Sequence, residues 1–137
     1  MSATIPLKVK NMPDGGTIGG GVKAIGYEIL SHLEKLRSSG EAAAIDMRSL
    51  PMAPEEYQGL MDMLGQGELD LTIEIDGPTH VRETAYAGVW WIQHKDRHDQ
   101  VLSEYIEINH VPEFLSAQDD QITAAIDILG ERLKGAS

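Results

Sequence analysis

Between Leu69 and Asp76 the chain alternates without a break: Leu69, Leu71, Ile73 and Ile75 are apolar, and Asp70, Thr72, Glu74 and Asp76 are polar. Successive side chains of a strand point to opposite faces, so an alternation of period two specifies a strand with one wetted side. It also fixes register, because a slip of one residue would turn the whole apolar set toward water. Gly77-Pro78 then marks a turn. Three more strand-like runs follow at short spacing: Thr79 to Tyr86, Val89 to His94, and Val101 to Asn109 with Ile106 and Ile108 inward. Ala87-Gly88 makes one tight connection, and the polar stretch Lys95 to Gln100 makes a hairpin loop. Such connections are too short for crossovers, so the four runs predict an antiparallel meander.

The flanking segments have a different period. Val22, Ile25, Ile29, Leu33 and Leu36, widened by Leu30, share one helical stripe that Gly40 ends. Ala42 to Met47 is a short, buried strand by pattern. Pro54 with Glu55 and Glu56 opens a second helix, because the first turn needs no proline N–H and favours acids. Tyr57, Leu60, Met61 and Leu64 form its apolar face, and Gly65 or Gly67 closes it. Ser116 and Asp119 have the spacing of a capping box before a last helix, whose stripe is Ile122, Ala125, Ile126, Leu129 and Leu133. The order α-β-α-β-β-β-β-α predicts a single α+β domain. Its sheet is largely antiparallel, a four-strand meander plus one short strand, with about three helices packed on it. The domain is expected over 22–137, behind a flexible, glycine-rich leader over 1–21.

Several function classes drop out. The 137 residues include no cysteine, which removes disulfides, thiolate metal sites, iron–sulfur ligation and cysteine nucleophiles. Twenty-two acids against 11 bases give a net charge of −11, the wrong sign for holding phosphate backbones, so no nucleic acid is expected as partner. No basic start followed by an apolar stretch directs the chain to export, and no apolar run nears the roughly 20 residues of a membrane span. The expected location is the cytoplasm. Gly16 and Gly21 have the outer spacing of a phosphate loop, but Val22-Lys23-Ala24 follows where Lys-Ser/Thr is needed. His94 and His98 stand four apart, across a strand end and its loop rather than on one helical face; His32, His80 and His110 are scattered. The acid pairs Glu55-Glu56 and Asp119-Asp120 both open predicted helices, where the dipole accounts for them. No catalytic residue, metal ligand or cofactor site is assigned.

The unusual segment is Val81-Arg82-Glu83-Thr84-Ala85-Tyr86-Ala87-Gly88-Val89-Trp90-Trp91-Ile92. Adjacent strand residues face opposite ways, so only one tryptophan can enter a core on the inner face directly. The other needs a covering helix or partner, or stays out as an apolar anchor of the kind that concentrates interface energy. Arg82 and Glu83 divide between the faces in the same way.

With Leu50-Pro51, Leu64-Gly65-Gln66-Gly67-Glu68, Glu83-Thr84, Gly88-Val89-Trp90-Trp91, Glu107 and Val111-Pro112-Glu113 in this order, the chain resembles the hydrogenase expression/formation family called HupH or HyaF, in its C-terminal domain. The resemblance spans about residues 19–118. It implies an accessory protein, a chaperone or scaffold in [NiFe] hydrogenase maturation, rather than an enzyme, and no cofactor. The implied partners are a hydrogenase subunit precursor, foremost the iron–sulfur small subunit, and other accessory proteins. Among the positions matching the family pattern, Glu83, Thr84, Trp90, Trp91 and Glu107 are the expected protein-binding residues. A metal-delivery protein or an enzyme of the same pathway is the alternative. Longer members carry more sequence ahead of this domain, and a homodimer or another accessory protein would supply that missing half.

Overall fold

The computed structural model describes residues 9–11, 19–74 and 76–136. Most of the expected leader lies outside these residues, as does Ile75. Within them, Val9–Asn11 (β1) pairs antiparallel with Gln66–Gly67 (β3), a contact too short to leave a periodic signal. Gly20 and Gly21 already belong to the first helix, α1 (Gly20–Ser39), which therefore starts two residues ahead of its expected boundary.

The meander forms as the alternation requires. Its strands are β4 (Asp70–Glu74), β5 (Pro78–Glu83), β6 (Val89–Lys95) and β7 (Val101–Ile108), each antiparallel to the next. The short strand β2 (Ala43–Asp46) adds at the far side of β7, giving the order β2-β7-β6-β5-β4. The β4–β5 turn depends on Gly77, whose φ is +128°; a Cβ there would sit 2.3 Å from the Lys95 carbonyl oxygen. β4 is an edge strand, and its alternation buries less than the pattern promises: Leu69 and Leu71 stay exposed.

Helix α1 and helix α2 (Pro54–Leu64) cover one face of the sheet. Val22, Ile29 and Leu36 of α1 and Leu60 and Leu64 of α2 pack against Ile45, Val89, Trp91, Ile106 and Ile108. Each such aliphatic side chain contributes about 1.5–3 kcal/mol when removed from water. Leu30 departs from this stripe and remains half exposed. Glu56 reaches back from the first turn of α2 to accept the Ala53 N–H at 3.1 Å, satisfying one free donor at the helix start. The opposite face is covered without a helix. There a 3-10 turn, Glu113–Leu115, lays Phe114 and Leu115 over Val81, Trp90 and Ile92.

The last helix, α3 (Asp119–Gly135), forms but does not pack as expected. It buries no residue, and Ile126 and Leu133 are each 65% exposed. Its cap is Gln118, whose N–H donates to Gln121 Oε1 at 2.8 Å, not the Ser116–Asp119 pair. No helix among the described residues is long and apolar enough to cross a membrane.

Candidate functional site

Strand register sorts the unusual segment into two rows. Glu83 pairs with Trp90, and Trp90 with Glu107, which places these three side by side on the face turned away from α1 and α2. Arg82, Trp91 and Ile106 form the neighbouring row on the helix side, where the Arg82 guanidinium stands 5.8 Å from the Trp91 ring centre.

All five expected contact residues turn out to be interior. Glu83, Thr84, Trp90, Trp91 and Glu107 are each less than a tenth exposed. In the single chain these side chains therefore offer no open surface, because both faces of the sheet are covered. Trp90 lies under Phe114 and Leu115 and donates its indole N–H to the Asn109 carbonyl at 3.1 Å. Trp91 packs edge-on against Tyr57, with ring centres 5.5 Å apart, and donates to Glu104 Oε2 at 2.7 Å. Glu107 accepts the Glu113 N–H at 2.8 Å and the Asn109 side-chain amide at 3.0 Å, which ties β7 to the covering turn.

Glu104 is the residue that sequence reasoning missed. Its Oε2 also accepts from Tyr57 at 2.5 Å and from the Gln93 amide at 3.3 Å. Burial, and then the bond to Glu104, push the Tyr57 phenol well above its ordinary pKa, so it remains a donor. Nothing in the period-two pattern marks Glu104, because its partners come from α2 and β6.

The motif glycines and the motif acids form one structural unit. A Cβ on Gly67 would lie 2.6 Å from Glu83 Oε1 and 2.7 Å from the Thr84 carbonyl oxygen, so only glycine allows this approach. The Thr84 hydroxyl donates to the Val89 carbonyl at 2.9 Å and accepts the Tyr86 N–H at 3.2 Å. The Ala85 N–H donates to the Leu64 carbonyl at 2.8 Å, fastening the β5–β6 connection to the end of α2. Gly88, at φ +86°, completes the turn against Leu33. This buried frame holds out one aromatic side chain, Tyr86, which is 43% exposed.

Tyr86 forms one wall of an apolar groove of about 320 Å³. Tyr27, Leu30 and Leu33 of α1 and Met63 of α2 supply the other walls, with Lys23 as the charged group. The exposed Tyr27 and Leu30 make this a surface suited to apolar side chains of another polypeptide. The exposed stripe of α3 is a second apolar surface of the same kind. The histidines gather at neither place. His94 bonds Thr79 at 2.8 Å and Tyr105 at 3.2 Å inside the sheet, while His98 lies in the β6–β7 turn. Among the described residues no three His, Asp or Glu side chains group as metal ligands.

The comparisons with known proteins agree with one another. The model of the HupH hydrogenase expression protein, C-terminal conserved region, matches residues 21–136. The hydrogenase expression/formation protein HoxQ of Azotobacter vinelandii is 27% identical over 128 residues, covering 89% of this chain and 44% of its own length. HupH of Rhizobium leguminosarum bv. viciae is 29% identical over 94 residues, covering 68% of this chain and 33% of its own. The chain thus spans less than half the length of these curated relatives. A solved structure, the hydrogenase expression protein HupH from Thiobacillus denitrificans, superimposes with a TM-score of 0.78 at 35% identity, covering 86% of this chain and 98% of that one.

Proposed function

The chain belongs to the HupH family of hydrogenase expression proteins, through their C-terminal conserved region, and from that premise we propose that it is a non-catalytic accessory protein of [NiFe] hydrogenase maturation. In this reading it acts in the cytoplasm as a chaperone or scaffold, holds no cofactor, and binds a hydrogenase subunit precursor, foremost that of the iron–sulfur small subunit.

The observation that carries the reading is the exposed stripe of α3. A helix of 17 residues is marginal in water on its own, and proteins stabilise such helices by packing an apolar face. Here Ile122, Ile126, Leu129 and Leu133 stay in solvent while the rest of the chain builds its core without them. An amphipathic helix laid into a groove is a common mode of polypeptide recognition. Glu83, Thr84, Trp90, Trp91 and Glu107 enter this reading as the frame behind Tyr86 rather than as the contact itself.

The test is coexpression of the tagged chain with the small-subunit precursor, followed by purification and identification of the bound protein by mass. The precursor is expected to copurify with the wild-type chain and to be lost with Ile126→Asp/Leu133→Asp. A wild-type chain that retains no hydrogenase subunit precursor, small or large, overturns the reading.

A further inference from the structure

The chain carries two unfilled apolar surfaces of matching kind, and they lie on opposite sides of the sheet. The groove between α1, α2 and Tyr86 is on the helix side. α3 leaves from the other side, because Phe114 and Leu115 are fixed over Val81, Trp90 and Ile92 just before it. Only Ser116, Ala117 and Gln118 separate that anchor from the first helical residue, four steps that reach about 14 Å at full extension. The layers of a packed sheet are themselves about 10 Å apart, so crossing from one covering layer to the other takes roughly 20 Å. α3 therefore does not lay its stripe along its own groove while the 3-10 turn stays in place.

We propose that α3 of each chain docks in the α1–α2–Tyr86 groove of a second copy, making a twofold dimer by reciprocal helix exchange. The inference rests on α3 being a docking helix, as in the proposed function, and adds what it docks into when no precursor is bound. Three observations favour a second copy. The two surfaces complement each other in chemistry, with an apolar stripe against a groove walled by Tyr27, Leu30, Met63 and Tyr86. Charge agrees as well, since Lys23 is the groove's charged group and the first turn of α3 carries Asp119 and Asp120. Area is also sufficient. Half of a helix this long, roughly 25 Å by 11 Å, removes about 400 Å² from water when buried. Made twice, and with the smaller grooves counted as well as the helices, the exchange buries on the order of 1,000 Å², the lower bound for a specific interface. A closed, isologous pairing of this kind also leaves neither apolar surface free to propagate into a filament.

Light scattering at roughly 100 µM, above the micromolar dissociation constants that interfaces of this size reach, gives the first test. The wild-type chain is expected at twice the chain mass. Leu30→Asp in the groove and Ile126→Asp on the helix are each expected to weaken the dimer by on the order of a hundredfold, since each buries an unpaired charge. Both sites are exposed in the single chain, and an unchanged circular dichroism spectrum checks that the variants fold. Because the chain has no cysteine, a short bis-maleimide can join Leu30→Cys on one chain to Ile126→Cys on another, and this mixed product is the expected one. A monomeric wild type overturns the exchange, as does a dimer indifferent to both Asp variants. So does a double-cysteine chain that links only within itself. Leu30→Asp also separates the two proposals: loss of the dimer with the precursor still captured supports both, whereas a wild-type dimer that captures no precursor sinks only the proposed function.

Discussion

Trp90 and Trp91 are neighbours in the chain, yet each closes a different side of the sheet, Trp91 under the helices and Trp90 under the 3-10 turn. The partner that fixes Trp91 is Glu104, whose Oε2 takes hydrogen bonds from Trp91, Tyr57 and Gln93 at once. Glu104→Ala leaves three donors on two elements, α2 and β6, without an acceptor and is expected to lower the unfolding free energy by about 3 kcal/mol. Glu104→Gln keeps an acceptor in place and is expected to lose about 1 kcal/mol. Urea unfolding followed by tryptophan fluorescence measures both. Equal losses for the two substitutions would mean that Glu104 acts by packing rather than as an acceptor.

Glu83 is the opposite case. Its Oε1 is buried beside Gly67 with no hydrogen-bond partner. A carboxyl oxygen desolvated without a donor opposes folding, so Glu83→Gln, neutral and nearly the same shape, is expected to raise stability by about 1 kcal/mol. A fall comparable to that of Glu104→Gln would show that Glu83 is satisfied in solution.

The backbone turn behind Tyr86 gives a third expectation. Gly88 has φ +86°, and a Cβ there would also meet Leu33 Cδ2 at 3.3 Å. Gly88→Ala is expected to cost about 1–2 kcal/mol from the left-handed conformation. It should also weaken the dimer more than its stability loss explains, because the same turn positions Tyr86 in the groove. Unfolding curves of dilute protein and light scattering, run on one preparation, separate the two effects.

The fold was legible where pattern and environment agree. The alternation before Gly77, the short connections and the stripes of α1 and α2 led to the meander and its helical cover. The β1–β3 pairing was not, since strands of three and two residues carry no period. The stripe of α3 was visible in the sequence, but amphipathicity states that a face wants cover without stating whether the same chain provides it. The motif around Glu83 and Trp91 was likewise easy to single out and hard to interpret. Side-chain alternation assigned the two tryptophans to opposite faces, while the cover over Trp90 comes from Phe114 and Leu115, residues in no periodic element. Tyr86 lies within that motif and is its one large side chain that reaches the surface. Its exposure follows from the turn geometry set by Thr84 and Gly88, which no residue-type rule encodes.

The pH dependence has a definite sign. Burial lowers the His94 pKa below its ordinary 6.5, and the ring is held between Thr79 and Tyr105. Burial, and then the nearby Glu107 carboxylate, raise the Tyr105 phenol, so its O–H is kept for the imidazole. Protons therefore bind the unfolded chain more readily than the folded one between the depressed folded pKa and 6.5. The His94 contribution is fully present above pH 6.5 and declines as pH falls toward the folded value. A His94→Gln variant is expected to show a flatter stability profile across that window, read from thermal midpoints in matched buffers. A slope equal to that of the wild type would assign the acid sensitivity to other groups.

The exchange of α3 predicts a concentration-dependent stability that the fold of one chain does not. Since α3 buries nothing in the single chain, Ile126→Asp should leave the stability of dilute protein within about 0.5 kcal/mol of wild type. Above the dissociation constant the wild type gains by mass action, about 1.4 kcal/mol per mole of dimer for each tenfold rise in concentration. Its unfolding midpoint should climb with concentration while that of Ile126→Asp stays level. If both midpoints are level, the helix has no second copy to hold it. If Ile126→Asp is destabilised even when dilute, α3 packs against its own chain, and the stripe is part of the core after all.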